Sequence, residues 1–266
     1  MTTDLSILFD RLYPICRSIT GQGLRDSLSI MAEHMPLQMH GIKSGNTVLD
    51  WTVPQEWNVQ SARLIGPDGQ DICNFADHNL HLLNYSHPIQ GKFDLEDLQP
   101  HLHSLPHLPD AIPYVTSYYN ERWGFCLTHR QREALQPGEY TVDIQTTLSE
   151  GEVNFATCEL PGESQETILI SSYLCHPSMA NNELSGPLGL LRIYEQLKTL
   201  PRRNYTYLFL LCPETLGSIA YLSKFGEDLQ KRIKGGLVLT CLGGPNKDLS
   251  FKLSRQDWLD EPSNID

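Results

Sequence analysis

The stretch that most constrains the fold runs from Ile168 to Gly186 and reads ILISSYLCHPSMANNELSG. Its first residues are apolar without a helical period, which is typical of a buried strand. The run then breaks into His176, a proline and small polar residues, and a helical pattern begins at Ser185. Ligands of open α/β sheets collect beyond the carboxyl ends of such strands, so His176 is a candidate functional residue.

The alternation of strands and helices continues through residues 130–266. Three runs predict buried strands, namely Thr167 to Leu174, Tyr205 to Cys212 and Leu237 to Cys241. Helical patterns from about Gly186 to Lys198 and from Gly217 to Lys224 separate them. This order predicts right-handed crossovers and an α/β fold with a mostly parallel sheet flanked by helices. Ahead of these strands, alternating residues at 140–144 and 153–155 predict an antiparallel hairpin.

Residues 1–40 predict two helices that pack on this α/β domain. One helix has an apolar face that ends before Pro14, and the other stops at Pro36. The members of the two faces are Leu5, Leu8, Phe9 and Leu12, then Leu24, Leu28, Met31 and Met35. Between the helices lies the polar turn Arg17 to Gly21, which on spacing alone is a helix-to-helix connection.

Residues 41–129 have a different sequence pattern, with short β-like runs, and predict a small inserted β-rich domain. The segment Leu95 to Leu105 predicts a helix, and Tyr114 to Tyr119 with Trp123 to Leu127 predicts a hairpin. The segment is rich in aromatic residues, which we interpret as a domain core in preference to a stacking platform for sugars. They are Trp51, Trp57, Tyr85, Tyr118, Tyr119 and Trp123.

Composition restricts the partners and the compartment. The net charge of -12 argues against nucleic acid and anionic membranes as partners. No apolar run approaches the roughly 20 residues that span a bilayer, and the N-terminus lacks the basic region of a signal peptide. The 7 cysteines are dispersed without a CxxC pair, which predicts reduced thiols and a cytoplasmic location.

Three polar residues occupy comparable places in the predicted sheet. His176 follows the first of the three strands, Glu214 follows the second, and Cys241 ends the third. If the strands are neighbours, their carboxyl ends bring these side chains to one edge. A histidine and a carboxylate there could bind zinc or act as base and orienter. Taken singly, each residue is more often structural.

Eight phrases of the chain resemble a family of aminopeptidase-like proteins, often called polysaccharide biosynthesis proteins with an aminopeptidase-like domain. This family is a divergent branch of the co-catalytic zinc aminopeptidases. The phrases are RSITG, DWTVPQEW, NLHLLNYSHP, PYVTSYYNERWGFCL, CHPSMANNELSG, PETLGSIAYLS, GLVLTCLG and FKLSR. The resemblance implies an aminopeptidase-like domain with the β-rich segment inserted in it. It also implies a zinc hydrolase that cleaves an N-terminal residue or related amide from a peptide or aminoacyl small-molecule substrate.

The resemblance also implies a set of site residues and one or two Zn²⁺ ions. His176 matches the first zinc-binding histidine, and Glu214 matches the region that supplies the catalytic base or a ligand. The usual bridging aspartate is replaced by Asn182, with Glu183 next to it as an alternative carboxylate ligand. Cys241 stands where an aspartate is common, and we interpret it as a buried thiol in preference to a zinc thiolate.

The family pattern stops after Arg255, whereas related proteins continue through a late metal-binding histidine, so we interpret the chain as incomplete at its C-terminus. Together with the neutral Asn182, this leaves a second hypothesis open. It is a catalytically silent carbohydrate- or protein-binding module linked to polysaccharide biosynthesis. An incomplete sheet also predicts an exposed strand edge and an oligomeric or poorly soluble chain.

Overall fold

The helices and strands are described from a computed structural model, in which residues 2–118, 120–244 and 250–252 are described. The helices are α1 (Leu5–Leu12), α2 (Gln22–Ala32), α3 (Leu95–Leu98), α4 (His129–Glu133), α5 (Ser185–Thr199) and α6 (Leu216–Arg232). The strands up to the middle of the chain are β1 (Gln38–Lys43), β2 (Thr47–Val48), β3 (Trp51–Thr52), β4 (Glu56–Ile65), β5 (Asp71–Asn74), β6 (Ile89–Asp94), β7 (Leu102–His103) and β8 (Phe125–Cys126). The remaining strands are β9 (Glu139–Ser149), β10 (Glu152–Leu160), β11 (Thr167–Tyr173), β12 (Thr206–Cys212) and β13 (Ile233–Val238).

The larger sheet has five strands in the order β1-β10-β12-β11-β13. Strand β11 pairs in parallel with both β12 and β13, while β10 runs antiparallel to β12 and to β1. The predicted α/β fold is therefore confirmed, and the three predicted strands are parallel neighbours. The sheet as a whole is mixed and not mostly parallel, because β1 and β10 join it through antiparallel pairs. The third strand begins at Ile233, earlier than predicted, because α6 runs without a break to Arg232.

Helices cover both faces of this sheet. Phe209 and Leu211 of β12 pack with α1, α2 and α5, whereas Leu208 and Leu210 pack with Tyr221 of α6 on the other face. Consecutive strand residues point to opposite faces, so an almost continuous apolar strand needs helices on both sides. The longest of these helices, α6, has 17 residues. Within the described parts of the chain, no helix is both long and apolar enough to cross a bilayer.

A smaller antiparallel sheet has the strand order β5-β4-β9-β6. The predicted hairpin between residues 140–144 and 153–155 is wrong, because β9 pairs with β4 and β6 whereas β10 pairs with β1 and β12. Alternation identifies strands but carries no information about their partners. The limits 1–40, 41–129 and 130–266 stay a prediction. In the structure β9 pairs with strands of the middle segment, and β1 belongs to the larger sheet.

The middle segment departs from its predicted elements in two places. The helix expected over Leu95–Leu105 is only the short α3 and a 3-10 turn that contains Pro100, and the chain continues as strand β7. The hairpin expected over 114–119 and 123–127 is also wrong for its described residues. Thr116 bridges to Asn84, and β8 pairs in parallel with β7.

The aromatic residues of this segment form a core, as predicted. Trp57 and Tyr85 are each 3% exposed and stack with ring centroids 5.5 Å apart. The half-buried Trp51, Tyr118 and Trp123 pack against the same cluster. Tyr119 lies outside the described residues. The rings of Trp57 and Tyr85 are therefore too buried to serve as a stacking platform for sugars.

Strand β13 lies at the edge of the larger sheet in the part of the chain that the structure describes. Leu237 is 46% exposed and Val238 is 70% exposed there. An apolar strand edge favours pairing with another chain, so we expect concentration-dependent self-association. Val238→Lys should lower the molar mass measured by light scattering to that of the monomer. Ile7→Lys places the same charge on the exposed face of α1 and should not lower it. A monomeric wild-type chain at high concentration would contradict this prediction.

Candidate metal and catalytic site

The site lies at the carboxyl ends of β11 and β12, which are parallel neighbours with Tyr173 opposite Cys212. His176 follows β11 and Glu214 follows β12, and their Nε2 and Oε2 atoms are 3.4 Å apart. Thr215 adopts a φ of 57°, which turns the chain sharply between β12 and α6. The structure therefore brings together the histidine and the carboxylate whose meeting the strand order predicts.

Glu183 lies behind His176, on the side away from Glu214. It belongs to a π-helical turn, Ala180–Leu184, that leads directly into α5. Its side chain is 0% exposed, and its Oε2 is 2.8 Å from His176 Nδ1. An ionised carboxylate can only accept, so we assign the donor role to Nδ1. In the neutral imidazole the lone pair is then on Nε2, which faces Glu214.

Two tyrosine rings form walls around the imidazole. Tyr114 and Tyr173 present their rings nearly perpendicular to His176, with centroids 5.0 and 5.4 Å away. Burial raises the pKa of Tyr173 to about 12 and the pKa of Tyr114 still further, so both phenols are neutral. Sequence reasoning missed both residues. The only signal for Tyr114 is that it lies in one of the matching phrases, PYVTSYYNERWGFCL.

Cys175 completes a compact group with His176 and Glu183. Potential ligand atoms of the three residues lie within 4.8 Å of one another. Burial, and then the charge of Glu183, raise the pKa of the Cys175 thiol well above its usual range, so the zinc-binding thiolate is disfavoured. Its sulfur also accepts the Glu214 backbone N–H at 3.2 Å. These contacts fit a structural role for Cys175 better than a ligand role.

Asn182 and Cys241 lie at the carboxyl end of β13. The Asn182 amide nitrogen is 4.0 Å from Cys241 Sγ, and Thr240 donates to the Asn182 carbonyl. Cys241 is exposed, so its interpretation as a buried thiol is wrong. The reason is that β13 ends at Val238, which leaves Cys241 in a surface loop with a φ of 52°.

The donor types at the site fit zinc, which accepts imidazole nitrogen and carboxyl oxygen. His176 Nε2 and the half-exposed Glu214 carboxylate lie together at the sheet edge. Asn182 Oδ1 is buried and has no hydrogen-bond partner among the described residues. A buried oxygen without a partner is costly, and a cation is one way to satisfy it. The Glu183 carboxylate, in contrast, already binds Nδ1 of His176.

Residues 7–261 match the model of a family described as "Domain of unknown function (DUF4910)". The chain belongs to that family. A curated relative in Clostridium acetobutylicum is 44% identical over 236 residues, which are 89% of this chain and 54% of the relative. Its name gives it a provisional role in polysaccharide biosynthesis and an aminopeptidase-like domain. This DUF4910 chain therefore spans about half the length of the curated relative that it matches.

Solved structures show the same fold. A Clostridium acetobutylicum protein provisionally described as a peptidase has a TM-score of 0.87 at 44% identity, over 90% of this chain and 56% of that one. A zinc aminopeptidase from Bacillus subtilis has a TM-score of 0.58 at 13% identity, over 90% of this chain and 68% of that one. The DUF4910 chain therefore has an aminopeptidase-like fold, as the sequence resemblance implies.

Proposed function

We propose that this chain is the aminopeptidase-like part of a zinc-dependent hydrolase, which cleaves an N-terminal residue or related amide. The observation that carries the proposal is the contact between His176 Nε2 and Glu214 Oε2, with the buried Glu183 holding the opposite ring nitrogen. The aminopeptidase-like fold supports it. The proposed substrate is a peptide or an aminoacyl small molecule in the cytoplasm, and the relative's name supports a link to polysaccharide biosynthesis.

Each residue of the site has a proposed role. His176 Nε2 and Asn182 Oδ1 would hold zinc, and bound zinc lowers the pKa of a water molecule and polarises a carbonyl group. Glu214, whose side chain is 51% exposed, can reach a substrate and accept the proton of the nucleophilic water. Glu183 is fully buried against His176, so we assign it to orienting the imidazole in place of the ligand role that the resemblance left open for it.

Metal analysis and cleavage of aminoacyl amides by the purified chain test this proposal. We expect bound zinc and turnover that a chelator removes and added zinc restores. His176→Ala should abolish both while circular dichroism stays unchanged. The matched control is His87→Ala, since His87 also faces a glutamate, Glu121, at 3.3 Å. Absence of zinc, together with glycan or protein binding that survives His176→Ala, would instead favour the silent binding module.

Restoring a carboxylate at position 182 should tighten zinc binding. We expect Asn182→Asp to lower the zinc Kd about tenfold or more, because unit charges about 4 Å apart attract by about 4 kcal/mol at an effective dielectric constant of about 20. Part of that attraction is lost to desolvation of the new charge. Competition with a chelating dye measures the Kd. Asn181→Asp is the control, since Asn181 Oδ1 accepts the Gly243 N–H. Equal affinities for both variants would place residue 182 away from the metal.

A further inference from the structure

Arg17 is the largest fully buried side chain of the described residues, with 0% exposure. It opens the RSITG phrase between α1 and α2, where the sequence alone predicts only a connection. A guanidinium group has five N–H donors and stays charged in proteins. A buried charge is costly unless it is paired and hydrogen-bonded. Arg17 therefore needs contacts with groups that pair with its charge and accept its hydrogen bonds.

Those contacts join the N-terminal helices to the loop that carries His176. The Nη1 group donates to the Leu12 carbonyl at the end of α1 at 2.6 Å, and to Ser27 Oγ of α2 at 3.4 Å. The Nε group donates to the backbone carbonyl of His176 at 3.0 Å. Arg17 and His176 lie 159 positions apart in the sequence, so this side chain joins distant parts of the chain.

Arg17 also reaches the imidazole of His176 through Glu183. The Arg17 Nε atom is 3.5 Å from Glu183 Oε1, and both side chains are 0% exposed. The second oxygen of the same carboxylate lies 2.8 Å from His176 Nδ1. The Glu183 carboxylate therefore lies between the guanidinium group and the imidazole and contacts both.

We propose that Arg17 is a positioning residue of the metal site. It holds both the Glu183 carboxylate and the His176 backbone in place, so that Nδ1 faces the carboxylate and Nε2 faces the sheet edge. This inference rests on the proposed function, because the purpose of that orientation is to present Nε2 to a metal. The RSITG turn is therefore part of the functional site.

Arg17→Met tests the proposal, since methionine keeps an unbranched apolar stem and removes the charge and the donors. In ¹⁵N-histidine spectra of the metal-free protein at pH 8, the wild-type His176 should show a protonated Nδ1. In Arg17→Met this signature should be lost or averaged, and the zinc Kd should rise about 10- to 100-fold. Arg17→Lys keeps the charge, so its zinc Kd and its histidine spectrum should be intermediate between those of the wild type and Arg17→Met. Arg25→Met is the control, because Arg25 pairs with Glu56 at 2.7 Å and should change neither measurement.

A double-mutant comparison separates positioning from general destabilisation. In a Glu183→Gln background the Arg17–Glu183 ion pair is already lost, and the hydrogen bond from Arg17 to the His176 carbonyl remains. Adding Arg17→Met should therefore raise the zinc Kd by a smaller factor than it does in the wild-type protein. The double variant also removes both buried charges. If Arg17→Met alone does not fold, the comparison of the double variant with Glu183→Gln provides the test. Unchanged spectra in folded Arg17→Met, or fully additive effects of the two substitutions, would overturn the proposal. If the wild-type chain binds no zinc, the proposed function fails, while the metal-free spectra still decide the role of Arg17.

Discussion

Replacing Glu214 by glutamine should lower kcat/KM for aminoacyl substrates by about 10²- to 10⁴-fold, which is the usual contribution of a positioned general base. Glutamine has nearly the same shape but cannot take up the proton of the nucleophilic water. Glu214 lies 3.4 Å from His176 Nε2 with a half-exposed side chain, so the substitution should not disturb the core. Steady-state kinetics with equal amounts of folded protein measure the effect.

The zinc content of Glu214→Gln separates the two roles that the resemblance allows for this residue. A base can be removed with the metal retained, whereas loss of a ligand lowers zinc affinity as well. We expect Glu214→Gln to retain its zinc, and a large loss of zinc would instead identify Glu214 as a ligand. Glu121→Gln is the matched control, since Glu121 forms the same kind of contact with His87 at 3.3 Å elsewhere in the fold. Wild-type kcat/KM in Glu214→Gln would exclude it as the base.

Replacing Glu183 by leucine should lower the free energy of unfolding by about 3–5 kcal/mol, because it leaves the buried Arg17 cation without its counter-charge. Both side chains of this ion pair are 0% exposed, so water cannot replace the lost partner. Leucine also leaves His176 Nδ1 without its acceptor. Urea denaturation followed by circular dichroism measures the change.

Two further variants show whether the unpaired charge of Arg17 causes the loss of stability in Glu183→Leu. Arg17→Met in the Glu183→Leu background removes the unpaired cation and should recover part of the lost stability. Glu33→Gln breaks an exposed pair with Arg11 and should leave the free energy of unfolding unchanged, since solvent-exposed pairs contribute little. A Glu183→Leu protein as stable as the wild type would show that position 183 holds no charge in the folded state.

The meeting of His176 and Glu214 could be predicted on one condition, which is that their two strands are neighbours in the sheet. Each residue follows an apolar run, and parallel neighbours place their carboxyl ends at one edge. The positions of Glu183 and Cys241 could not be inferred in the same way. Glu183 faces the interior because of a π-helical turn, and Cys241 is exposed because β13 ends three residues earlier. Such local irregularities leave no periodic trace in a sequence.

By itself the sequence determined the α/β class, the two N-terminal helices, the three parallel strands and the places of His176 and Glu214 at the ends of two of them. These features follow from the periodicity of apolar residues and from the polar residues that end each apolar run, which are local properties of the chain. Only the tertiary structure decided that β9 and β10 join different sheets and that Tyr114 lines the site. It alone also decided that Arg17 supports His176 from a distant turn. Those contacts depend on which surfaces pack together and on which buried charges need partners, and no short stretch of sequence contains that information.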